Sequence, residues 1–426
     1  MDSIEKGRLG ESFVNQIAFR SFLKYWCYPA PLDIVKDNKE ICDLLIVFKD
    51  VCFIISVKNY SFKGDYQQYF KKTTDKAIRQ IKGAERTLFR NDVPVLLKHP
   101  DRDAEVFQSE IVKETYRIVI NISTDVKYYQ TSFYLNEQSY TVMDAAAWFA
   151  ALEELNSVPD FTNYISKRCK LFGKYPAFIM PREEYDISDN DKLNIQHDVT
   201  DSMKIYNGVT IISGSELDLI AIYFEQGYKF SDDLQKSDDV QSHVLKIDGR
   251  WEAFQNSKIT EIKEDYEKES YFIDELVREF LIAQKDGHHL AAMFFQLDRL
   301  DRAAFARTFL EYHGNVGTGT KLNRTHVVFP FMHMVFIYFE DGYPTEELQS
   351  FLEISLHHHH YLFNSACKQV GALGMSKSTN EFLFGYAEID EPYTAEEIEK
   401  MKIQFSKLGW KTDHVNTEDI EFKDEY

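Results

Sequence analysis

The stretch Ile41-Cys-Asp-Leu-Leu-Ile-Val-Phe-Lys-Asp-Val-Cys-Phe-Ile-Ile-Ser-Val-Lys58 decides the fold. Two apolar runs, Leu44 to Phe48 and Val51 to Ile55, flank Lys49-Asp50 and read as antiparallel strands joined by a tight turn. With Lys49 and Asp50 as a two-residue loop, Phe48 pairs with Val51 and Asp43 falls opposite Ser56. Directly opposed residues have Cβ atoms about 4.5–5.5 Å apart. Lys58 lies two residues beyond Ser56 and shares its face, because strand side chains alternate. Three polar groups therefore gather at one end of an apolar ribbon, and that end is the candidate site.

Working outward, residues 5–26 read as a helix with Gly7, Gly10, Val14, Ile17, Ala18, Ser21 and Tyr25 near one stripe and Glu11 beside it. A glycine inside a helix costs up to about 1 kcal/mol relative to alanine, so Gly7 and Gly10 predict close packing, with the Glu11 carboxylate against the sheet. Pro29-Ala-Pro31 breaks the chain before the hairpin. After the hairpin come a polar, aromatic loop (59–70) and a helix from Lys71 to Arg90. Its inner stripe is Ala77, Ile81, Ala84 and Leu88, and Gln80 falls on that stripe. An unsatisfied buried amide costs on the order of 1–3 kcal/mol, so Gln80 needs a partner. Capping a strand end would supply one; reaching into a site beside Asp43 and Lys58 would supply another.

Further strands are expected in Glu105–Asp125 and Tyr128–Tyr140, and helices in Met143–Leu155 and Phe161–Phe172. A boundary is placed near residue 175. Beyond it, short strands (Thr210–Ser213, Leu217–Phe224, His243–Ile247) alternate with polar loops (188–193, 231–239). Two long helices are expected between Glu261 and His313, interrupted at Asp286-Gly287, then strand 326–339, helix 345–365, strand 382–388, helix 394–408 and an acidic tail. The expectation is an α/β protein with units at 1–175, 176–260 (small and β-rich) and 261–426.

The 426 residues suffice for two or three domains, and 44% apolar with 15% aromatic content marks a folded chain. Cys27, Cys42, Cys52, Cys169 and Cys367 form no Cys-x-x-Cys pair, which fits reduced thiols and a cytoplasmic setting. No apolar run is long enough to span a membrane, and the first residues contain no signal-peptide core. A net charge of −20 argues against nonspecific coating of nucleic acid. Between Lys58 and Arg102, however, eleven Lys/Arg face five Asp/Glu. Lys71, Lys72, Lys76, Arg79, Lys82 and Arg86 are the candidate phosphate-facing residues in that stretch; ordinary surface variation is the other reading.

Three other features carry less. His357 to His360 lie on one expected helix, where consecutive residues point in different directions, and read as a solvated or interface face. Gly314-Asn-Val-Gly-Thr-Gly-Thr-Lys321 lacks the Gly-Lys-Ser/Thr order of a phosphate-binding loop and reads as a plain loop. Arg299, Arg302 and Arg307, with Asp298 and Asp301, read as a salt-bridged solvent face.

Taken in order, Glu11, Asp43, Ser56-Val57-Lys58 and Gln80 resemble the PD-(D/E)XK, or restriction-endonuclease-like, nuclease superfamily. Gly7-Arg-Leu-Gly10-Glu11 is similar to the Gly-x-x-Gly-Glu opening of its Mrr and NERD branches. Cys42-Asp43-Leu44-Leu45 is similar to the acidic strand, and Gln80-Ile-Lys-Gly-Ala84 to the later helix. The resemblance covers roughly residues 1–150 and implies a nuclease-like domain that cuts DNA using Mg²⁺ (or Mn²⁺). It implies Asp43 as principal metal ligand, with the Val57 carbonyl and Glu11. Lys58 would orient the attacking water or stabilise the transition state, and Gln80 would position Lys58 or a phosphate. Chains of this build are typically prokaryotic and serve antiviral defence, their C-terminal region sensing, forming a homo-oligomer or recruiting a partner protein.

One position departs from the pattern. The family's Glu-x-Lys is Ser56-Val57-Lys58 here, and serine is a poor metal ligand. A second carboxylate would have to come from elsewhere: Glu11 first, Glu40 and Asp65 as others. The competing reading is a catalytically inactive nuclease fold that binds nucleic acid or serves as an assembly subunit.

Overall fold

The computed structural model describes residues 3–33, 39–90, 94–101, 103–123, 126–180, 189–282, 287–329, 332–363, 368–376, 381–389 and 393–414. Arg102, Asp286, Cys367 and the acidic tail beyond 414 lie outside them. The chain divides into two compact units, Met1–Lys263 and Glu264–Tyr426. Both are mixed α/β.

A nine-stranded mixed sheet forms the first unit. From one edge its strands are Cys27–Pro29, Leu44–Phe48, Val51–Lys58, Glu114–Asn121, Gln138–Asp144, Tyr129–Leu135, Ala177–Met180, Val209–Ser213 and Ser242–Lys246. Phe48 pairs with Val51 and Leu44 with Ile55, the register of a two-residue turn. Lys49 closes that turn in the left-handed region, with φ 52°. Val51–Lys58 pairs in parallel with Glu114–Asn121 on its other side, and all but its first residue are buried. An unbroken apolar run is what a strand covered on both faces requires.

Those two faces carry different helices. Ile54 joins Ala77, Ile78, Ile81, Ala84 and Leu88 in one core, beneath the helix Thr74–Leu88. Phe53 points the other way, its ring 5.2 Å from Phe161, which also meets Trp148 and Phe22. The first helix, Ser3–Arg20, packs on that second side against the helix Ala145–Glu154. Gly10 is where it comes closest to the strand's end: a Cβ there would sit 2.8 Å from Asn59 Cβ. Gly7 has nothing within 4 Å, so its expected packing role does not hold.

Several expectations are corrected. The strands beyond residue 175 join the same sheet, so no boundary falls there and 176–260 is not a separate segment. Residues 216–225 are a helix, not a strand. Eight of its ten residues are buried, which erases the helical period, while a Ser215–Asp218 capping box starts it. The loop expected at 188–193 opens the helix Asp189–Tyr206. The expected helix from Lys71 breaks at Thr73 into Tyr66–Lys72 and Thr74–Leu88, with Asp65 capping the first.

In the second unit a four-stranded sheet runs Leu322–Phe329, Met332–Phe339, Gln369–Ser376, Phe382–Glu388. The single strand expected at 326–339 is thus a hairpin. The helix Thr345–Leu362 covers one face, and Phe305 and Phe309 of the helix Arg299–Asn315 meet Phe336 on the sheet. Arg299 and Arg302 are buried against Asp274 instead of facing solvent; Arg307 alone pairs at the surface, with Glu269. His358, His359 and His360 are buried too, because their helix lies flat on the sheet.

Candidate functional site

Asp43, one residue before its strand, is brought opposite Ser56 by the register of the hairpin, and the side chains meet. Ser56 Oγ donates to Asp43 Oδ2 at 2.9 Å, the Val57 N–H donates to the same oxygen, and Lys58 Nζ approaches it at 3.3 Å. Lys58 Nζ also donates to Ser56 Oγ at 2.8 Å and to the Val57 carbonyl at 2.7 Å. Asp43, Ser56 and Lys58 are 7%, 1% and 6% exposed, so this is a buried ion pair with its donors and acceptors matched.

Two more carboxylates surround it. Glu40 hydrogen-bonds Asp43, and burial, that bond and the charges of Asp43 and Glu11 push its carboxyl up to about 7. Burial and then the Asp43 charge raise Glu11, partly offset by Lys58 and Arg8. Glu40 stands on a short ribbon in which Leu32 pairs with Glu40 and Asp33 with Lys39. That ribbon is pinned by the two-pronged Arg90–Asp33 pair (2.9 and 2.8 Å). Glu40 is therefore the carboxylate in contact with Asp43, while Glu11 acts on it through space; Asp65 is engaged as a helix cap. Sequence reading ranks Glu11 first because its helix is legible, whereas the two-residue strands that place Glu40 have no periodic signal.

Gln80 reaches the site by a different route from the one expected. It is exposed, not part of the inner stripe, whose extra member is Ile78. Its Oε1 lies 3.3 Å from Ser56 Oγ. Gln80, Lys76, Arg79 and Arg86 line a groove of about 830 Å³ whose other wall is Asp33 with Lys39 to Asp43, and Ser56 lies at its base. Lys71, Lys72 and Lys82 are not on that wall. The break at Thr73 puts Lys71 and Lys72 on another helix, and Lys82 faces the Tyr140 ring.

The oxygens of Asp43, Glu40, Ser56 and Val57 form a hard donor set of the kind Mg²⁺ or Mn²⁺ takes, usually with one or two carboxylates and several waters. Among the described residues no three His, Cys, Asp or Glu side chains converge on one point. Burial first and the Asp43 charge after it raise the Glu40 and Glu11 carboxyls, and a cation beside them would lower both. No protein-family model and no curated protein matches this chain. No helix among the described residues is long and apolar enough to cross a membrane.

Proposed function

We propose that the first unit is a metal-dependent nuclease of the PD-(D/E)XK kind that hydrolyses phosphodiester bonds of DNA. The observation carrying this reading is the bonded cluster of Asp43, Ser56 and Lys58, of which Asp43 and Ser56 line a groove walled by Lys76, Arg79 and Arg86. Asp43 and Glu40 would hold Mg²⁺ or Mn²⁺ with the Val57 carbonyl, Glu11 adding negative charge nearby. When bound, the ion supplies charge stabilisation and an activated water. Lys58 offers an ammonium to the charge that develops on the phosphoryl oxygens. Ser56 ties Asp43 to Lys58 and so fixes both, and Gln80 holds Ser56 from the groove side. The arginines and Lys76 orient the phosphate backbone without reading sequence. Antiviral defence, with the C-terminal unit sensing, dimerising or recruiting a partner, belongs to the same proposal by resemblance.

A specific observation favours the second reading, an inactive nuclease fold. The Lys58 ammonium lies among the Asp43, Ser56 and Val57 oxygens, where it already serves as their cation. Incubating the chain with plasmid and single-stranded DNA in Mg²⁺, Mn²⁺ or EDTA separates the two. Cleavage that EDTA and Asp43→Asn both abolish supports the enzyme. A silent wild type whose Ser56→Glu variant cuts assigns the inactive reading, and no cleavage by any variant in any metal rejects the nuclease altogether.

A further inference from the structure

The second unit holds a charge cluster of its own. Elsewhere the chain gives its buried arginines a carboxylate: Arg168 takes both oxygens of Glu216 (2.7 and 3.1 Å), and Arg299 and Arg302 share Asp274. Half-buried Arg324 has none among the described residues. Its Nη1 lies 2.9 Å from His326 Nε2, its Nη2 lies 2.8 Å from His358 Nδ1, and its guanidinium stacks 3.4 Å above the Trp410 ring.

These contacts fix every proton. A guanidinium can only donate, so His326 Nε2 and His358 Nδ1 accept. His358 Nε2 then donates to the Lys411 carbonyl at 2.7 Å. His326 Nδ1 donates to His359 Nδ1 at 3.0 Å, and His359 Nε2 donates to His333 Nδ1 at 2.9 Å. Each ring is neutral, in keeping with burial, which lowers His358 to about 4 and His326 to about 2. His359 spends its two nitrogens on different neighbours, so the rings do not converge as metal ligands. The guanidinium is the cluster's charge, and the imidazoles use two of its five N–H groups.

Arg324, His326, His358 and Trp410 line a cavity of about 350 Å³ with Phe351 and Leu362. That volume lies at the small end of ligand pockets, and the walls pair apolar surface with one cationic fork. We propose that this cavity binds a small organic anion, a phosphate or carboxylate carrying a single ring, with the Arg324 fork on the anionic head and Phe351 and Leu362 against the ring. The planar fork matches either oxyanion in two-pronged fashion, and the two imidazoles hold it in orientation by accepting its other N–H groups.

The test is calorimetric titration of the full chain with phenyl phosphate and, separately, benzoate. Either probe should bind saturably, and the stronger of the two identifies the head group. Arg324→Met should weaken binding by on the order of thirtyfold, and Arg324→Lys, which keeps the charge and loses the fork, by about tenfold. Lys411→Glu, at an exposed position on the cavity wall, should weaken it several-fold and guards against a misfolded Arg324→Met. Arg79→Ser, in the groove of the first unit, should leave it unchanged. Failure of both probes to bind, unaltered binding in Arg324→Met and Arg324→Lys, or loss of binding in Arg79→Ser would each overturn the proposal.

Discussion

The two charged clusters solve the same physical problem in opposite ways. Around Asp43 the chain supplies its own counter-ion, Lys58, and then adds Glu40 and Glu11, whose carboxyls burial and the Asp43 charge raise. Around Arg324 it supplies neutral imidazoles that orient a cation without neutralising it. The first cluster is complete as a folded object, its cation supplied from within. The second has no counter-ion among the described residues. Burial by itself therefore does not tell what a charged group is for; the partner chosen does.

The largest effect that separates the two is on stability. Asp43→Ala would strand the buried Lys58 ammonium and the Val57 N–H, and breaking a buried pair in this way costs about 3–5 kcal/mol. Arg324→Met removes a charge that has no carboxylate among the described residues, so unfolding in urea should change by less than about 1 kcal/mol in either direction. Equal losses in both variants would break the contrast. Asp43→Asn, which keeps the acceptor for Ser56 and Val57, should destabilise less than Asp43→Ala while abolishing cleavage as fully.

Next comes pH, where the clusters should move in opposite directions. Glu40 binds its proton more tightly folded than unfolded, so its contribution is full below about 4.5 and is lost as pH rises through about 7. His358 binds its proton less tightly folded, so its contribution is full above about 6.5 and is lost as pH falls towards 4. For His358 the loss by pH 4 is on the order of 3 kcal/mol. Hydrogen exchange at pH 5, 6.5 and 8, corrected for intrinsic rates, should show protection at 44–58 weakening with rising pH while protection at 322–339 strengthens. Parallel trends would sink the assignment.

Smaller effects sharpen the first cluster alone. Gly10→Ala should cost about 1–3 kcal/mol, because the added methyl meets Asn59, and should reduce cleavage by moving Glu11. Neutralising Lys76, Arg79 and Arg86 should flatten the slope of log K against log salt by about 0.9 for each duplex phosphate that no longer has a cationic partner. The same treatment of Lys71, Lys72 and Lys82 should leave the slope unchanged, and equal flattening by both sets would erase the groove as the nucleic-acid surface.

The Asp43–Ser56–Lys58 arrangement was legible because a two-residue turn between alternating apolar runs leaves one register open, and register dictates facing. Other features depended on long-range packing that local pattern does not encode. Gln80 reads as part of an apolar stripe by spacing, yet the core took Ile78, leaving the amide on the groove side. His358 to His360 look solvated as a run of polar residues, but their helix lies against the sheet, and His358 bonds Arg324 and the Lys411 carbonyl while His359 bonds His326 and His333. Residues 216–225 have no helical period because nearly every side chain is buried, and only the capping box at Ser215 announced them. Glu40 rides on strands too short to leave any pattern.

Glu11 and Gln80 approach the end of Val51–Lys58 from helices on opposite faces of the sheet. A chain on the way to its native state that has docked only one helical layer holds only part of the cluster: the hairpin pair with Gln80, or the hairpin pair with Glu11. The complete cluster comes into existence with the last layer to settle, which makes its appearance a marker of a finished first unit. Partly folded copies would then be poor at whatever the assembled site does, and a probe of the site would report how many molecules have closed both layers.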